Sequence, residues 1–292
     1  MANVNKTYIH GHAPSVLKAH ARRTAARDAA YLLPHILPTH KILDVGCGPG
    51  TISADLAQLV PQGGIACLDL SETAVASARQ TFAERNLIAS PSPDSDSNPK
   101  AKVEFAVGDV TTRLPFPDET FDIVHAHMVL IHLPDPIKAL REMRRVLKSD
   151  GGLLACKDMI MSTVVWYPHD ERLGVWERGI TGTIADTGAD PLMGRRLKGA
   201  ALEAGFGGGG EGKIVARASC WSFTELDEVR FWGESCACRL EEGSGGGLRE
   251  RVIKGGYSTE GEVDGFVTAC REWVAKEGAW FGVMNGELLA WK

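Results

Sequence analysis

The sequence lacks three features that would have assigned it to other broad classes of protein. It has no run of eighteen apolar residues, which predicts that no helix spans a membrane. It has no excess of basic residues, because 32 Lys and Arg face 37 Asp and Glu, whereas nucleic-acid-binding domains usually carry a basic footprint. Residues 1–10 lack the apolar segment of a secretory signal. We therefore expect a small-molecule partner, with neither a membrane span nor a nucleic acid.

Cysteines are present but are not arranged as a disulfide framework or a zinc site. The seven are odd in number and scattered, which is typical of reduced thiols and predicts a cytoplasmic location. Cys236 and Cys238 are too close together for a common zinc site, and no second pair accompanies them. We expect no metal.

Strand patterns alternate with helix patterns over the first half of the chain. Strands separated by helices predict parallel βαβ units and a doubly wound α/β sheet. The predicted strands are residues 41–45, 64–69, 102–107, 121–126 and 153–158.

Four segments follow from the change in pattern along the chain. We predict an N-terminal helical lid over residues 1–40, a core over 41–220, a helical cap over 221–278 and a last strand over 279–292, which contains the turn dipeptide Asn285-Gly286. Residues 90–100, rich in Pro, Ser and Asp, predict a disordered insertion within the core. A continuous helix is expected from residue 15 to about 33, with its basic side chains mostly in solvent.

A glycine-rich loop follows the first predicted strand. Asp44 lies in that strand, Gly46, Gly48 and Gly50 come next, and a predicted helix begins at Thr51. Glycine adopts backbone angles closed to other residues and lets a ligand lie against the main chain. The pattern therefore indicates a nucleotide-type pocket. Its G-x-G-x-G spacing differs from the G-x-G-x-x-G of dinucleotide folds and speaks against an NAD(P) oxidoreductase.

Acidic residues end the next two predicted strands. Asp69 ends the second, where a carboxylate can accept hydrogen bonds from two ribose hydroxyls. Asp109 lies between Gly108 and Val110 at the end of the third strand. The alternatives are a charge at a helix N-terminus for Asp69 and an ordinary turn aspartate for Asp109.

Histidines and a bulky aromatic pair follow the fourth and fifth predicted strands. His125, His127 and His132 are candidates for proton transfer because imidazole titrates near neutral pH, although each could instead pack or cap a helix. Trp166 and Tyr167 suit an apolar substrate wall, with packing of a cap helix as the alternative.

Several motifs together resemble one family, the class I S-adenosylmethionine-dependent methyltransferases of the UbiE type, also described as methyltransferase type 11. They are residues 44–51 (D-V-G-C-G-P-G-T), 113–118, 121–124 and 135–148. The Tyr-Ile-His-Gly-His opening at residues 8–12 and the close of the chain resemble a subgroup of bacteria and fungi. Its fungal members include S-methyltransferases acting on dithiols of the gliotoxin type.

The resemblance implies a mostly parallel, seven-stranded Rossmann-like sheet with N-terminal helices and a helical cap, in a monomer or homodimer. S-adenosylmethionine is the implied cofactor and S-adenosylhomocysteine its product. With this activity, the histidines considered above become candidate catalytic residues, His127 and His132, and the aromatic pair Trp166 and Tyr167 becomes the candidate substrate-binding surface. The implied cofactor-binding residues are Tyr8, Asp44, Gly46, Cys47, Gly48, Gly50, Thr51, Asp69, Leu70, Gly108, Asp109, Val110 and His125.

The acceptor chemistry is less constrained than the cofactor. Methylation of a thiol of a secondary metabolite is the favoured interpretation. The alternatives are O- or C-methylation of a phenolic or quinone metabolite, and a protein that binds the cofactor without transferring the methyl group.

Overall fold

A computed structural model describes residues 20–88, 101–208, 213–241, 243 and 247–292. Within these residues the strands are β1 Lys41–Val45, β2 Gly64–Asp69, β3 Lys102–Val107, β4 Ile123–His127, β5 Leu153–Met159, β6 Val165–Tyr167, β7 Ile214–Phe223 and β8 Trp280–Trp291. The α-helices are α1 Ala25–Asp28, α2 Thr51–Leu59, α3 Glu72–Glu84, α4 Pro136–Val146, α5 Gly174–Ala185, α6 Leu197–Glu203, α7 Leu226–Leu240, α8 Leu248–Lys254 and α9 Glu260–Trp273.

All the described strands form a single sheet. Its order is β3-β2-β1-β4-β5-β8-β6, and β7 pairs along the other edge of β8. Strands β1 to β5 are parallel, whereas β8 runs antiparallel to β5, β6 and β7. The α/β class with a mostly parallel Rossmann-like sheet is confirmed. Seven strands were expected, and the additional one is the short β6. It forms because the first residues of β8, around Gly282, precede the part of β8 that pairs with β5 and pair with β6 instead.

The last strand does not bend at the predicted turn dipeptide. Asn285 pairs with Met159 and Gly286 with Asp158 inside a continuous ladder. A side chain at Gly286 would lie 1.9 Å from the carbonyl oxygen of Gly194. The glycine is therefore required by a close backbone approach, and a turn at this position is excluded.

The sheet separates two apolar layers. Because successive strand residues point to opposite faces, Ile42 and Ile123 pack with α2, whereas Leu43 and Val124 pack with α4 on the other side. Local signals fix the helix starts: the Ser71 hydroxyl accepts from the Ala74 amide at 3.3 Å at the N-terminus of α3. The two layers pack on either side of the sheet, and the C-terminal ends of the parallel strands β1 to β5 lie along one edge of it.

The predicted continuous helix over residues 15–33 is wrong in its described part. Thr24 has extended backbone angles (φ −133°, ψ 153°), and its hydroxyl accepts from the Arg27 amide, so it caps a new helix, α1. A 3₁₀ turn, Leu33–His35, follows separately. The predictions for Tyr8 and for the insertion at 90–100 fall on residues 1–19 and 89–100, outside the described part of the chain.

Helices α7, α8 and α9 lie between β7 and β8, within the segment predicted as a cap. Strand β7 extends to Phe223, so Trp221 and Phe223 belong to the sheet although the prediction assigned them to the cap. Among the described helices, none combines the length and the apolarity that crossing a membrane requires.

Candidate active site

The glycine loop, residues 46–50, turns the chain from β1 into α2. The Gly46 and Cys47 amides donate to the Leu68 carbonyl at 2.7 and 3.0 Å. All three glycines have positive φ, and a side chain at Gly46 or Gly50 would meet Val129 or Ala78 at 2.5 or 2.8 Å. A Cβ at Gly48 would meet nothing within 4 Å. Gly46 and Gly50 are therefore needed for packing, whereas Gly48 faces the open space that a ligand would fill.

Asp69 ties the end of β2 to the glycine loop. One carboxylate oxygen accepts from the Gly48 amide at 3.0 Å and the other accepts from the Ser71 amide at 2.9 Å. The adjoining Leu70 is 37% exposed, and Val107 at the end of β3 is 48% exposed. A carboxylate beside apolar side chains fits a nucleoside, whose sugar hydroxyls and flat base need those two kinds of contact.

Asp109 lies one strand further along the same edge. Its carboxylate accepts from the Thr111 amide at 2.8 Å and from the Thr111 hydroxyl at 2.6 Å, and the Gly108 amide donates to the Asp69 carbonyl at 3.0 Å. Val110 is buried. The predicted acids at the ends of β2 and β3 thus meet at one edge. Because Thr111 donates both of these bonds, the alternative of an ordinary turn aspartate also fits Asp109.

Asp44 and His125 form a buried pair beneath the loop. An oxygen of Asp44 lies 2.8 Å from Nδ1 of His125, and its other oxygen accepts from the Ser53 hydroxyl. Both side chains are buried, and their contacts join β1, β4 and α2. That Asp44 binds the cofactor, and that main-chain groups around His125 lie beside its methionine part, stay predictions. Cys47 and Thr51 are also buried.

A cavity of about 120 Å³ lies beyond the ends of β4, β5 and β7. It is enclosed by residues 20–28, called here the N-terminal segment, and by α5 and α7. Since one water occupies about 30 Å³ in the liquid, a cavity of this volume has room for several waters. Its lining includes apolar and aromatic side chains with a few charges, among them Met128, Ile131, His132, Met159, Trp176, Ile180, Trp221, Phe223, Trp232, Arg23, Arg239, Asp28 and Glu228.

The N-terminal segment is fastened to β7 and α7 by several contacts. The buried Asp28 carboxylate accepts from Nε1 of Trp221 at 3.0 Å. Arg27 pairs with Glu228 at 3.0 Å and stacks on Phe223 at 4.7 Å. Arg22 and Arg27 are exposed, as expected for the basic residues of this segment, and they also line the cavity together with the half-buried Arg23. Their role was not visible in sequence because their partners lie about 200 residues away.

His132 is the predicted catalytic residue that the structure brings to the cavity. It lies in the 3₁₀ turn Leu130–His132, and burial and the nearby Arg23 lower the pKa of its imidazole to about 4. Asp158 holds this turn, because its Oδ1 accepts from the Ile131 amide at 3.1 Å. Burial raises the pKa of the Asp158 carboxyl to about 8. Both side chains are therefore mostly neutral near pH 7.

His127 does not line the cavity, and its prediction as a catalytic residue is corrected. Its ring is buried, 5.9 Å from the Trp221 ring, with Nε2 3.9 Å from a carboxylate oxygen of Asp28. Burial first, and then the charge of Arg23, lower the pKa of its imidazole well below the usual range. His127 therefore packs against Trp221 without lining the cavity itself.

Trp166 and Tyr167 do not form the expected substrate wall. They lie in β6, where the Trp166 ring packs on Trp273 at 4.9 Å and on Phe281 at 4.6 Å. Tyr167 is 60% exposed. The alternative of core packing applies to Trp166, because β6 pairs with the first residues of β8 and neither Trp166 nor Tyr167 lines the cavity. The wall is formed instead by Trp176, Trp221, Phe223 and Trp232.

The glycine loop, the acids at neighbouring strand ends and the adjoining cavity define a class I methyltransferase site. The family described as "Methyltransferase domain" matches residues 43–155, which run from β1 into β5. The chain is 31% identical, over the whole of both proteins, to "Probable methyltransferase ltbC" of Aspergillus luteorubrus. It is 34% identical to an uncharacterized methyltransferase of Schizosaccharomyces pombe over 77% of this chain and 76% of that one. The protein belongs to the S-adenosylmethionine-dependent methyltransferases.

A solved structure gives the same fold. The YcgJ protein of Bacillus subtilis superposes with a TM-score of 0.56 at 16% identity, covering 91% of this chain and 98% of that one. The cofactor is S-adenosylmethionine, and the open face of Gly48 with the Asp69 carboxylate fits its nucleoside part. Across the described residues, no group of three or more His, Cys, Asp or Glu side chains is placed to hold a metal ion.

Proposed function

We propose that this methyltransferase acts on a thiol of a small, largely apolar metabolite that binds in the cavity. The observation that supports a thiol is the pair of groups at the inner end of the cavity: the neutral imidazole of His132 and the guanidinium of Arg23. They can stabilise an anion but are poorly suited to remove a strongly held proton.

The acceptor's own acidity decides between the candidate chemistries. An imidazole with a pKa of about 4 holds a proton weakly, so it deprotonates a phenol of pKa about 10 inefficiently. A thiol of pKa about 8.5 is already a few per cent thiolate at neutral pH. The positive charge of Arg23 would raise that fraction further.

Bound S-adenosylmethionine supplies an electrophilic methyl group on a sulfonium. The residues of the chain do the positioning: the glycine loop and Asp69 fix the nucleoside side, and the aromatic wall directs the acceptor toward the ends of β4 and β5. Transfer of that methyl group to the thiolate would leave S-adenosylhomocysteine, and the thiol proton would pass to solvent. Exclusion of water by the N-terminal segment favours the step.

The experiment compares two acceptors of nearly equal shape, 2-naphthalenethiol and 2-naphthol. The purified full-length protein is incubated with methyl-labelled S-adenosylmethionine, and methylated products are quantified by mass spectrometry. We expect labelled methyl thioether to form at least about tenfold faster than methyl ether, because only the thiol ionises without a strong base. The rate should rise with pH toward the pKa of the thiol.

The variant His132→Gln serves as the control for a general base. Since His132 holds a proton weakly, we expect the variant to keep the shape of the pH–rate profile. Preferential transfer to naphthol would establish O-methylation instead. Binding of S-adenosylmethionine with no S-adenosylhomocysteine formed from any thiol, phenol or quinone would favour a protein that binds without transfer.

The location and assembly of the protein also remain proposals. All seven cysteines are free thiols, which supports a cytoplasmic protein. A monomer or homodimer is the assembly we propose.

A further inference from the structure

Three residues other than glycine have a positive φ in the described part of the chain: Asn86 at 55°, Glu119 at 55° and Met128 at 56°. Asn86 follows α3 and Glu119 lies in a turn, and both are exposed. Asparagine tolerates this left-handed conformation, whereas a long apolar residue adopts it rarely because its Cβ comes too close to the following carbonyl oxygen. Met128 is half-buried and comes directly after β4. Its backbone is therefore strained at the edge of the sheet where the site lies.

Contacts on both sides of Met128 hold its backbone in this conformation. Its amide donates to the Lys157 carbonyl at 2.8 Å, which continues the contact between β4 and β5. The chain then reverses into the 3₁₀ turn Leu130–His132. Val129 packs against Gly46 at this reversal, since a Cβ at Gly46 would lie 2.5 Å from the Val129 side chain. The reversal explains the backbone angles of Met128, but it does not explain why the residue is a methionine.

Glycine would form the same reversal without strain. It adopts left-handed angles at no steric cost, and the chain uses it at Gly46, Gly48 and Gly50, in the loop that follows the neighbouring strand β1. Met128 instead places a side chain in the wall of the cavity. Because the next residue, Val129, packs on the glycine loop, this side chain lies in the part of the cavity nearest the cofactor side. Strained residues of this kind are concentrated at functional sites, where a side chain is needed at that position.

We propose that Met128 is a specificity-determining residue, whose thioether packs against the acceptor beside the atom that receives the methyl group. A methionine side chain is flexible and polarisable, so it follows the surface of a ligand closely and makes favourable contacts with aromatic rings. An aromatic acceptor in the cavity would contact the rings of Trp176, Trp221, Phe223 and Trp232 along its length and Met128 at its reacting end. The proposal deepens the proposed function and rests on it for the identity of the reacting atom.

The test uses methyl 2-naphthyl sulfide, the product expected from 2-naphthalenethiol, so it does not depend on methyl transfer. Its binding to the full-length protein, saturated with S-adenosylhomocysteine, is measured by equilibrium dialysis. We expect Met128→Gly and Met128→Ala to raise its dissociation constant at least about tenfold, because both remove the side chain although only Ala keeps the backbone strain. Met128→Leu, of similar volume, should stay within about threefold of the natural protein. The dissociation constant of S-adenosylhomocysteine should change less than about twofold in all three variants.

Asn86→Gly is the matched control, since it removes a side chain from a left-handed residue outside the cavity. It should bind the sulfide as the natural protein does. Three results would overturn the proposal: unchanged sulfide affinity in Met128→Gly and Met128→Ala, equal losses of sulfide and S-adenosylhomocysteine affinity, or no binding of the sulfide to the natural protein up to its solubility limit. A sulfide affinity that depends on Met128, without methylation of any thiol, would reject the proposed function alone.

Discussion

The two sides of the site are built in different ways. On the cofactor side, a short local segment forms the predicted binding surface: residues 44–51 provide the turn, and Asp69 comes 18 residues later along the chain. On the acceptor side, Asp28 and Trp221 meet although 193 residues separate them. The cofactor side uses main chain and one carboxylate, whereas the acceptor side uses large side chains from three regions of the chain.

Because the two sides are built differently, we expect them to tolerate different amino-acid substitutions. A surface made of main chain depends on backbone angles and on the absence of a side chain, so few sequences can form it. A wall made of side chains keeps its position when its residues change, so its specificity can vary while the sheet remains. Mutations on the two sides should therefore affect cofactor and acceptor independently.

The largest expected effect is on the cofactor side. In Gly48→Ala the new methyl group occupies the space that faces the ligand, since no protein atom lies within 4 Å of it. We expect the dissociation constant of S-adenosylmethionine to rise at least about tenfold, which corresponds to ~1.4 kcal/mol. Isothermal titration calorimetry measures this change.

Gly151→Ala is the control, because Gly151 also has a positive φ of 70° and open space at its Cβ, but lies in the turn before β5. Both variants carry the strain of a left-handed residue, about 1–2 kcal/mol, so their unfolding temperatures should fall alike. If the two variants bound S-adenosylmethionine equally, Gly48 would not face the cofactor.

A smaller effect is expected on the acceptor side. Asp28→Asn replaces a charge-assisted hydrogen bond to Trp221 with a neutral one, a difference of roughly 1 kcal/mol. We expect the KM for 2-naphthalenethiol to rise about fivefold, with an unchanged dissociation constant for S-adenosylmethionine. Steady-state kinetics and calorimetry provide the two values.

Asp227→Asn gives the matching control, because it removes the exposed partner of Arg22, a residue of the same N-terminal segment as Asp28. Exposed ion pairs contribute about 0–1 kcal/mol, so the KM should change less than about twofold. Equal losses of cofactor and acceptor affinity in Asp28→Asn would mean that the two sides are not independent.

The same difference explains which features were predictable from sequence. The strands of the parallel part and the glycine loop were found because their signals are local: apolar runs, glycine spacing and an acid at a strand end. Trp166 and Tyr167 were assigned to the wall because they follow β5, but their pairing with β8 turned them away from the cavity. Arg23 and Trp221 were missed, since only the packing of the N-terminal segment on β7 brings them together. Sequence also cannot show that Ser53 and His125 engage the two oxygens of Asp44.

The smallest expected effect concerns the carboxyl group of Asp158, beneath the turn that carries His132. Burial raises its pKa to about 8, so between about pH 4 and pH 8 the folded protein keeps a proton that the unfolded chain has released. Its contribution to stability is therefore greatest at low pH and is lost as pH rises toward 8. In Asp158→Asn this dependence is absent, while the acceptor for the Ile131 amide remains.

Thermal unfolding of the natural protein and of Asp158→Asn is measured from pH 4 to pH 8. The pH dependence that comes from His127 and His132 is the same in both proteins, so the difference between their unfolding temperatures gives the contribution of Asp158. We expect the unfolding temperature of the natural protein, relative to Asp158→Asn, to decline by at least about 2 °C over this range, which corresponds to ~1 kcal/mol for a chain of this size. A difference that stays constant or grows with pH would mean that Asp158 is ionised in the folded state. A negative charge would then lie beneath His132. The argument for a thiol, which needs no base because it ionises by itself, would lose the neutral surroundings of His132 on which it depends.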